Sequence, residues 1–261
     1  MCGATRIGSV LEYRKRYWRM TVQPDTSPTL RDSTAPSNRG DALGSPELAR
    51  PIATALTCIG AIAAFLIFTS EVFEADQAAV DAVGRAWAVA HRSPFADLFF
   101  RVVTTMAATR VVLTVSLIGA VMVWWRGARR VAAPLALAAV LAPLTTRTIK
   151  PLFGRLRPGY VDDGGRSFSF PSGHTTIATA VVLTLAYVMV REQIAPRLAP
   201  TLAVLFVIAV GASRVYLHEH WVTDVVGGLA MGIAIAAACA TVYEIGRVRS
   251  WRNVVSRGQS R

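Results

Sequence analysis

Polar and apolar positions are mixed without sustained periodicity up to residue 50, and then the pattern changes abruptly. Six runs without a charged residue follow: Pro51–Ser70, Val111–Trp125, Val131–Thr146, Thr175–Val190, Leu198–Ser213 and Val225–Tyr243. A helix needs about 20 apolar residues, within a range of about 17–25, to cross a hydrocarbon core about 30 Å thick. The longer runs reach that length directly, and the shorter ones depend on tight bundling. Buried helices of a soluble protein would account for one or two such runs, not for six. The predicted fold is therefore all-α, an integral membrane six-transmembrane-helix bundle over 51–245. A flexible polar tail, 1–50, precedes it, and a basic C-terminal tail, 246–261, follows. Between the first two runs, Glu74–Arg92 keeps Val80, Val83, Trp87, Val89 and Ala90 near helical spacing, with charged residues among them. That pattern predicts a surface or interfacial helix beside the bundle, and it fits an ordinary connecting helix equally well.

Composition supports this class. Hydrophobic residues make up 53% of the chain and charged residues only 17%, against about 25% charged in soluble domains. The net charge of +12 points to an anionic partner, whether nucleic acid, a membrane surface or a phosphorylated substrate. Its distribution narrows the choice. With a cytoplasmic N-terminus, the cytoplasmic segments carry 18 basic and 7 acidic residues, and the outer segments 10 and 9. Excess Lys and Arg mark the cytoplasmic side, so the basicity anchors tails and loops to the inner leaflet and does not imply nucleic acid. Both termini are then expected in the cytoplasm, the chain in the plasma membrane, and the loops after the first, third and fifth spans outside. The three cysteines show no metal-binding or disulfide spacing.

The chemistry collects in the last two outer loops. The first stretch runs from Lys150 through Arg155 to Arg157-Pro158, the second is Pro171-Ser172-Gly173-His174, and the third runs from Ser213-Arg214 through His218, Glu219 and His220 to Asp224. Charges beside a membrane core are costly, about 2.5–3.5 kcal/mol each on insertion scales, and need partners. Asp162 and Asp163 are spaced to take up two of the cations, and snorkelling to the interface is an equally good account of the cations taken alone. Pro-Ser-Gly ahead of an apolar helix describes a helix start whose free amides suit a phosphate, although alone it is also a plain cap. His174 lies in that first turn, placed to donate a proton. His220 and Asp224 are four apart, so on a helix start they share a face. A carboxylate there fixes the imidazole tautomer and stabilises charge developing on it. Arg214 offers a planar fork to phosphate, while His218 reads as a solvent-facing loop residue with no assigned role. Cations, two histidines and one carboxylate suit metal-free phosphoryl transfer. A zinc reading of His174, His218 and His220 would set cations around a cation.

Lys150-x6-Arg157-Pro158, Pro171-Ser172-Gly173-His174 and Ser213-Arg214-x5-His220-x3-Asp224 resemble, in order and without mismatch, the three-part signature of the type-2 phosphatidic acid phosphatase superfamily. That superfamily comprises membrane lipid phosphatases and the soluble vanadium haloperoxidases, and the six spans favour the membrane branch. The resemblance implies that His220 attacks phosphorus to form a phosphohistidine, that Asp224 orients it, and that His174 protonates the departing oxygen. It further implies that Lys150, Arg157, Ser172, Gly173 and Arg214 bind the phosphoryl oxygens, with no metal and no cofactor. The expected substrate is a lipid phosphate or diphosphate drawn from the surrounding membrane lipids, such as a polyprenyl diphosphate, phosphatidic acid or phosphatidylglycerol phosphate. Two alternatives use the same pocket: a phosphotransferase with an acceptor other than water, and a transporter or flippase of phosphorylated lipids.

Overall fold

The computed structural model describes residues 46–74, 78–158 and 168–259. Among these residues there are eight helices and no strand: α1 (Pro46–Glu74), α2 (Ala78–Ala90), α3 (Pro94–Met106), α4 (Thr109–Trp125), α5 (Arg129–Phe153), α6 (Gly173–Arg191), α7 (Leu198–Tyr216) and α8 (Val222–Gln259). By length and apolar composition α1, α5, α6, α7 and α8 can each cross a bilayer, and α3 with α4, bent by 46°, make a sixth crossing when taken as one broken span.

Between the first two crossings the expected helix is present as α2, Ala78–Ala90. One detail departs from the expected layout: the second crossing is longer than the uncharged run Val111–Trp125, because α3 precedes it. Asp97 and Arg101 interrupt the apolar pattern of α3, so hydropathy does not isolate it. Its start has a local cause. Ser93 is the N-cap, its Oγ accepting from Ala96 N at 3.2 Å, and Pro94 occupies the first helical position, where a missing N–H costs nothing. The α3–α4 bend falls at Ala108, whose extended backbone (ψ 135°) interrupts the helical hydrogen bonding.

The core lies where α6 meets α8. Every residue from Thr175 to Val181 is buried. A side chain at Gly228 of α8 would meet the Ser172 carbonyl oxygen at 2.8 Å, and one at Gly232 would meet Thr179 Cβ at 2.5 Å. The two helices approach this closely because neither glycine carries a Cβ, as at small-residue contacts between membrane helices. Helix α1 lies chiefly along α8. It inserts Phe65 beside Phe170, ring centroids 5.9 Å apart, and Phe153 meets Phe170 edge-on at 4.9 Å. On the outer face of α1, Leu56, Ile59, Leu66 and Ile67 remain exposed, as expected for side chains that face acyl chains rather than water.

Polar groups gather at the two ends of this apolar bundle. At one end buried Glu244 accepts from Arg191 Nε at 2.5 Å and from Tyr187 Oη at 2.8 Å, and Tyr243 donates to Glu192 at 2.5 Å. The opposite end carries the motif residues.

Candidate active site

Helix α5 delivers Lys150 in its last turn and ends at Gly154, which is left-handed (φ 58°) and donates to the Lys150 carbonyl. Lys150 Nζ donates to the carbonyls of Phe168 at 2.7 Å and Ser169 at 3.3 Å. Its ammonium thus holds the strand of chain leading into α6, and its Cε lies 4.0 Å from where a Cβ on Gly173 would be. That entering chain is also tied to the segment following α5, since Ser169 N donates to Arg155 O at 2.7 Å and Ser169 Oγ to Leu156 O at 3.1 Å.

Ser172, fully buried, is the N-cap residue of α6, yet its hydroxyl makes no capping bond to the first-turn amides and instead accepts from Thr175 Oγ1 at 3.0 Å. The orphan amides of a helix start are then left for a ligand. Ser172 N donates to Asp224 O at 2.9 Å, which pins the start of α6 to the first turn of α8. His174, in that first turn, is half-buried and within electrostatic reach of Arg214, Arg157 and Lys150.

From the end of α7, buried Arg214 donates to Thr104 Oγ1 at 2.6 Å and pairs through Nη2 with Glu219 at 3.4 Å. Its Nε is buried and has no partner among the described residues. An unpaired guanidinium N–H away from water costs free energy, so Arg214 is a donor prepared for an acceptor. Arg157 Nη1 reaches the same Glu219 Oε2 at 2.6 Å. One carboxylate therefore braces two of the motif cations.

The turn between α7 and α8 is tight. His218 is left-handed (φ 55°), and the amides of Glu219 and His220 both donate to Arg214 O at 3.1 Å. His220 lies two residues ahead of α8, so it does not share a helical face with Asp224 in the way the four-residue spacing suggested. The pair forms because Asp224 turns back over the helix start. Its Oδ2 accepts from Trp221 N at 2.9 Å and faces His220 Nδ1 at 3.2 Å. Asp224 is fully buried, and its Oδ1 accepts from Arg155 Nη1 at 2.8 Å and Ser169 Oγ at 3.4 Å. An acceptor-only carboxylate at Nδ1 places the proton on that nitrogen and the lone pair on Nε2. His220 is 2% exposed. Burial pushes its pKa down to about 3; Asp224 opposes that shift, and Lys150 and Arg214 add to it. The imidazole is thus a neutral base throughout the physiological range.

The structure brings Lys150, Arg157, Ser172, Gly173, His174, Arg214, His220 and Asp224 to one end of the bundle, on the end of α5 and the segment after it, the start of α6, the end of α7, and the turn into α8 with its first turn. It also shows groups that motif spacing did not reveal as partners. Glu219 joins Arg157 to Arg214, Thr104 of α3 holds Arg214, and Asp81 of α2 holds Arg155. Asp162 and Asp163, expected to take up two cations, lie outside the described residues. The available signal for Asp81 was its spacing with Gly84 and Ala88, which are the buried positions of α2. No cluster of three or more His, Cys, Asp or Glu among the described residues is arranged to hold a metal ion.

A family model described as "PAP2 superfamily" matches residues 131–246, the stretch that contains all three motifs. Phosphatidylglycerophosphatase B of Bacillus subtilis (strain 168) is 32% identical over 182 residues, covering 66% of this chain and 87% of the relative. The chain belongs to the PAP2 superfamily. A lipid A 1-phosphatase of Rhizobium etli is 31% identical over 115 residues, 40% of this chain and 47% of that protein. Among solved structures, a transmembrane PAP2 type phosphatidylglycerolphosphate phosphatase from Bacillus subtilis superposes with a TM-score of 0.61 at 28% identity, covering 70% of this chain and 94% of that one. This PAP2 chain is a membrane-spanning lipid phosphatase of the superfamily's metal-independent kind. Helices α2 and α3, which carry Asp81 and Thr104, lie ahead of the matched stretch.

Proposed function

We propose that this PAP2 phosphatase hydrolyses a phosphomonoester or diphosphate on a membrane lipid, phosphatidylglycerol phosphate foremost, through a phosphohistidine on His220. The observation that supports the mechanism is the buried His220–Asp224 pair set among three cations, one of which, Arg214, keeps a buried N–H without a partner among the described residues. The substrate reading rests on the relative and the solved structure that span most of this chain, both named for phosphatidylglycerol phosphate chemistry.

In this mechanism the phosphoryl oxygens lie against Lys150, Arg157, Arg214 and the amides at the start of α6, with Ser172 and Gly173 shaping that start. The His220 Nε2 lone pair forms a bond to phosphorus as the bond from phosphorus to the lipid oxygen breaks. His174 gives its proton to that oxygen, and Asp224 stabilises the imidazolium charge. A water molecule then attacks phosphorus, passes a proton to His174, and the P–N bond breaks to return neutral His220 and inorganic phosphate. Positioning and charge neutralisation carry most of such a reaction. The lipid tail remains beside the bundle, and the site faces the extracytoplasmic side of the plasma membrane.

The test uses purified protein in detergent with chelator present and a panel of lipid phosphates labelled in the phosphate. Free phosphate is expected, with phosphatidylglycerol phosphate the fastest substrate. Quenching should trap label on the protein in an acid-labile, base-stable form. His220→Ala should lose both signals, with a fall in kcat of about 10³-fold or more, as for removal of a nucleophile. Full activity in that variant sinks the mechanism. Label transferred to an added alcohol instead of water identifies a phosphotransferase, and complete loss of activity with chelator overturns the metal-free scheme.

A further inference from the structure

The catalytic carboxylate does not stand alone. Arg155 lies inside the first motif, between Lys150 and Arg157, and its guanidinium bridges two acids. Nη1 donates to Asp224 Oδ1 at 2.8 Å and to Thr223 Oγ1 at 2.6 Å, while Nη2 donates to Asp81 Oδ2 at 2.7 Å. Asp81 comes from α2, a helix 142 residues earlier in the chain than Thr223. It is 4% exposed and also accepts from Thr223 N at 3.1 Å and Thr223 Oγ1 at 2.9 Å. Asp81 thus caps the first turn of α8 from another helix, at the end where a carboxylate is favoured.

Two features show that this contact is built in. Gly84, one turn after Asp81, leaves no room for a side chain: a Cβ there would collide with Val222 Cγ2. Its absence lets α2 lie directly on the residue that opens α8. The polarity of α2 is also inverted relative to a soluble surface helix. Val80, Val83 and Val89 face outward, and Asp81, Gly84 and Ala88 face the bundle. Turning an aspartate inward from an interfacial helix requires a partner of opposite charge, and Arg155 is that partner.

We infer that Asp81 is a positioning residue for phosphoryl transfer, acting through Arg155 on Asp224. A planar guanidinium shared by two carboxylates has its plane fixed at both ends, and its charge is divided between them. Without Asp81, Arg155 is free to turn fully onto Asp224 and neutralise it. The carboxylate then stabilises less of the positive charge that His220 acquires as it attacks phosphorus. The phosphate-holding cations Lys150, Arg157 and Arg214 make no contact with Asp81 among the described bonds, so binding of the anion is spared. This inference rests on His220 and Asp224 being the reacting pair proposed above.

The test is steady-state kinetics of the full-length protein in detergent, with two inhibitors: inorganic phosphate, a ground-state anion, and vanadate, whose bipyramidal form resembles the transition state. Asp81→Asn keeps the acceptor for Thr223 and removes the charge. It should lower kcat about tenfold with KM and phosphate inhibition within about threefold, the pattern of an interaction made chiefly in the transition state. Vanadate inhibition should weaken in step with kcat. Asp81→Glu should recover most of the rate. In an Arg155→Gln background, Asp81→Asn should add less than about twofold, because residues acting through one another are non-additive. A wild-type kcat in Asp81→Asn overturns the inference. So does equal weakening of phosphate and vanadate, or the same multiplicative loss with Arg155 already removed. If Asp81→Asn does not fold, Arg155→Lys carries the same decision: it keeps the charge but cannot fork between the acids, and a normal kcat there is equally fatal. Activity surviving in His220→Ala refutes the underlying mechanism. An inactive His220→Ala beside a normal Asp81→Asn refutes only the role of Asp81.

Discussion

In the proposed mechanism His220 meets two conflicting demands. It must be buried to exclude water from the phosphoryl intermediate, and it must hold positive charge once it has attacked. Burial, with Lys150 and Arg214 adding to it, pushes its pKa from 6.5 down to about 3, and Asp224 is the group that opposes the shift. The unfolded chain binds a proton at His220 below about pH 6.5, whereas the folded chain does not until about pH 3. Stability from this residue is therefore fully present above 6.5 and is lost as pH falls toward 3, because in that window the unfolded state binds more protons. Thermal unfolding in detergent should show a Tm that declines on acidification from pH 7 to pH 4.5. His220→Asn, which is neutral at every pH, should decline less steeply. Parallel slopes for the two proteins contradict a buried neutral imidazole. The same residue scale explains Glu219, which no motif position covers: Arg157 and Arg214 repel each other at close range, and the carboxylate between them, paired with both, offsets that repulsion.

Helices set the distances between these residues. The starts of α6 and α8 are joined by Ser172 N donating to Asp224 O, and the same helices touch at Gly228 and Gly232 one and two turns further on. Gly232→Ala would press a methyl group against Thr179 Cβ and within 2.9 Å of the Thr176 carbonyl oxygen. Overpacking of this kind costs about 1–3 kcal/mol, read as a lowered Tm. Gly228→Ala would press directly on the Ser172 carbonyl, displacing the helix start proposed to hold the phosphate, so its activity should fall further than its Tm suggests. Comparable activity in the two variants at matched stability would contradict a specific role for the α6 start. Helices α2 and α3 act at this scale too: each brings one polar side chain, Asp81 or Thr104, to an arginine of the site.

At the scale of the molecule, an apolar bundle separates two polar ends. The motif residues with α2 lie at one end, and the Arg191–Glu244 and Tyr243–Glu192 contacts at the other. The basic turn Arg126 to Arg130 joins α4 to α5 at the second end. We propose from the excess of Lys and Arg that this end faces the cytoplasm, and cysteine accessibility in intact cells checks it. In a chain freed of its native cysteines, His91→Cys, exposed in the turn after α2, should react with a membrane-impermeant maleimide. Arg126→Cys, exposed at the end of α4, should react only after permeabilisation. The reverse pattern would place the phosphatase site in the cytoplasm.

Much of this was written locally in the chain. Six uncharged runs give the membrane bundle because hydrocarbon leaves a helix as the economical way to satisfy its backbone, and this signal needs no knowledge of neighbours. The three motifs that mark the candidate site are local for a similar reason: each holds its residues within a few positions at the edge of a run. Long-range contacts were not legible. The bend that joins α3 to α4, the hold of Thr104 on Arg214 and the Asp81–Arg155–Asp224 bridge join residues up to 143 positions apart. Even the His220–Asp224 pairing, four residues apart in sequence, depends on a carboxylate folding back over a helix start rather than on helical periodicity. Apolar patterning records which residues leave water, but a buried ion pair depends on which helix arrives beside which, and packing alone decides that.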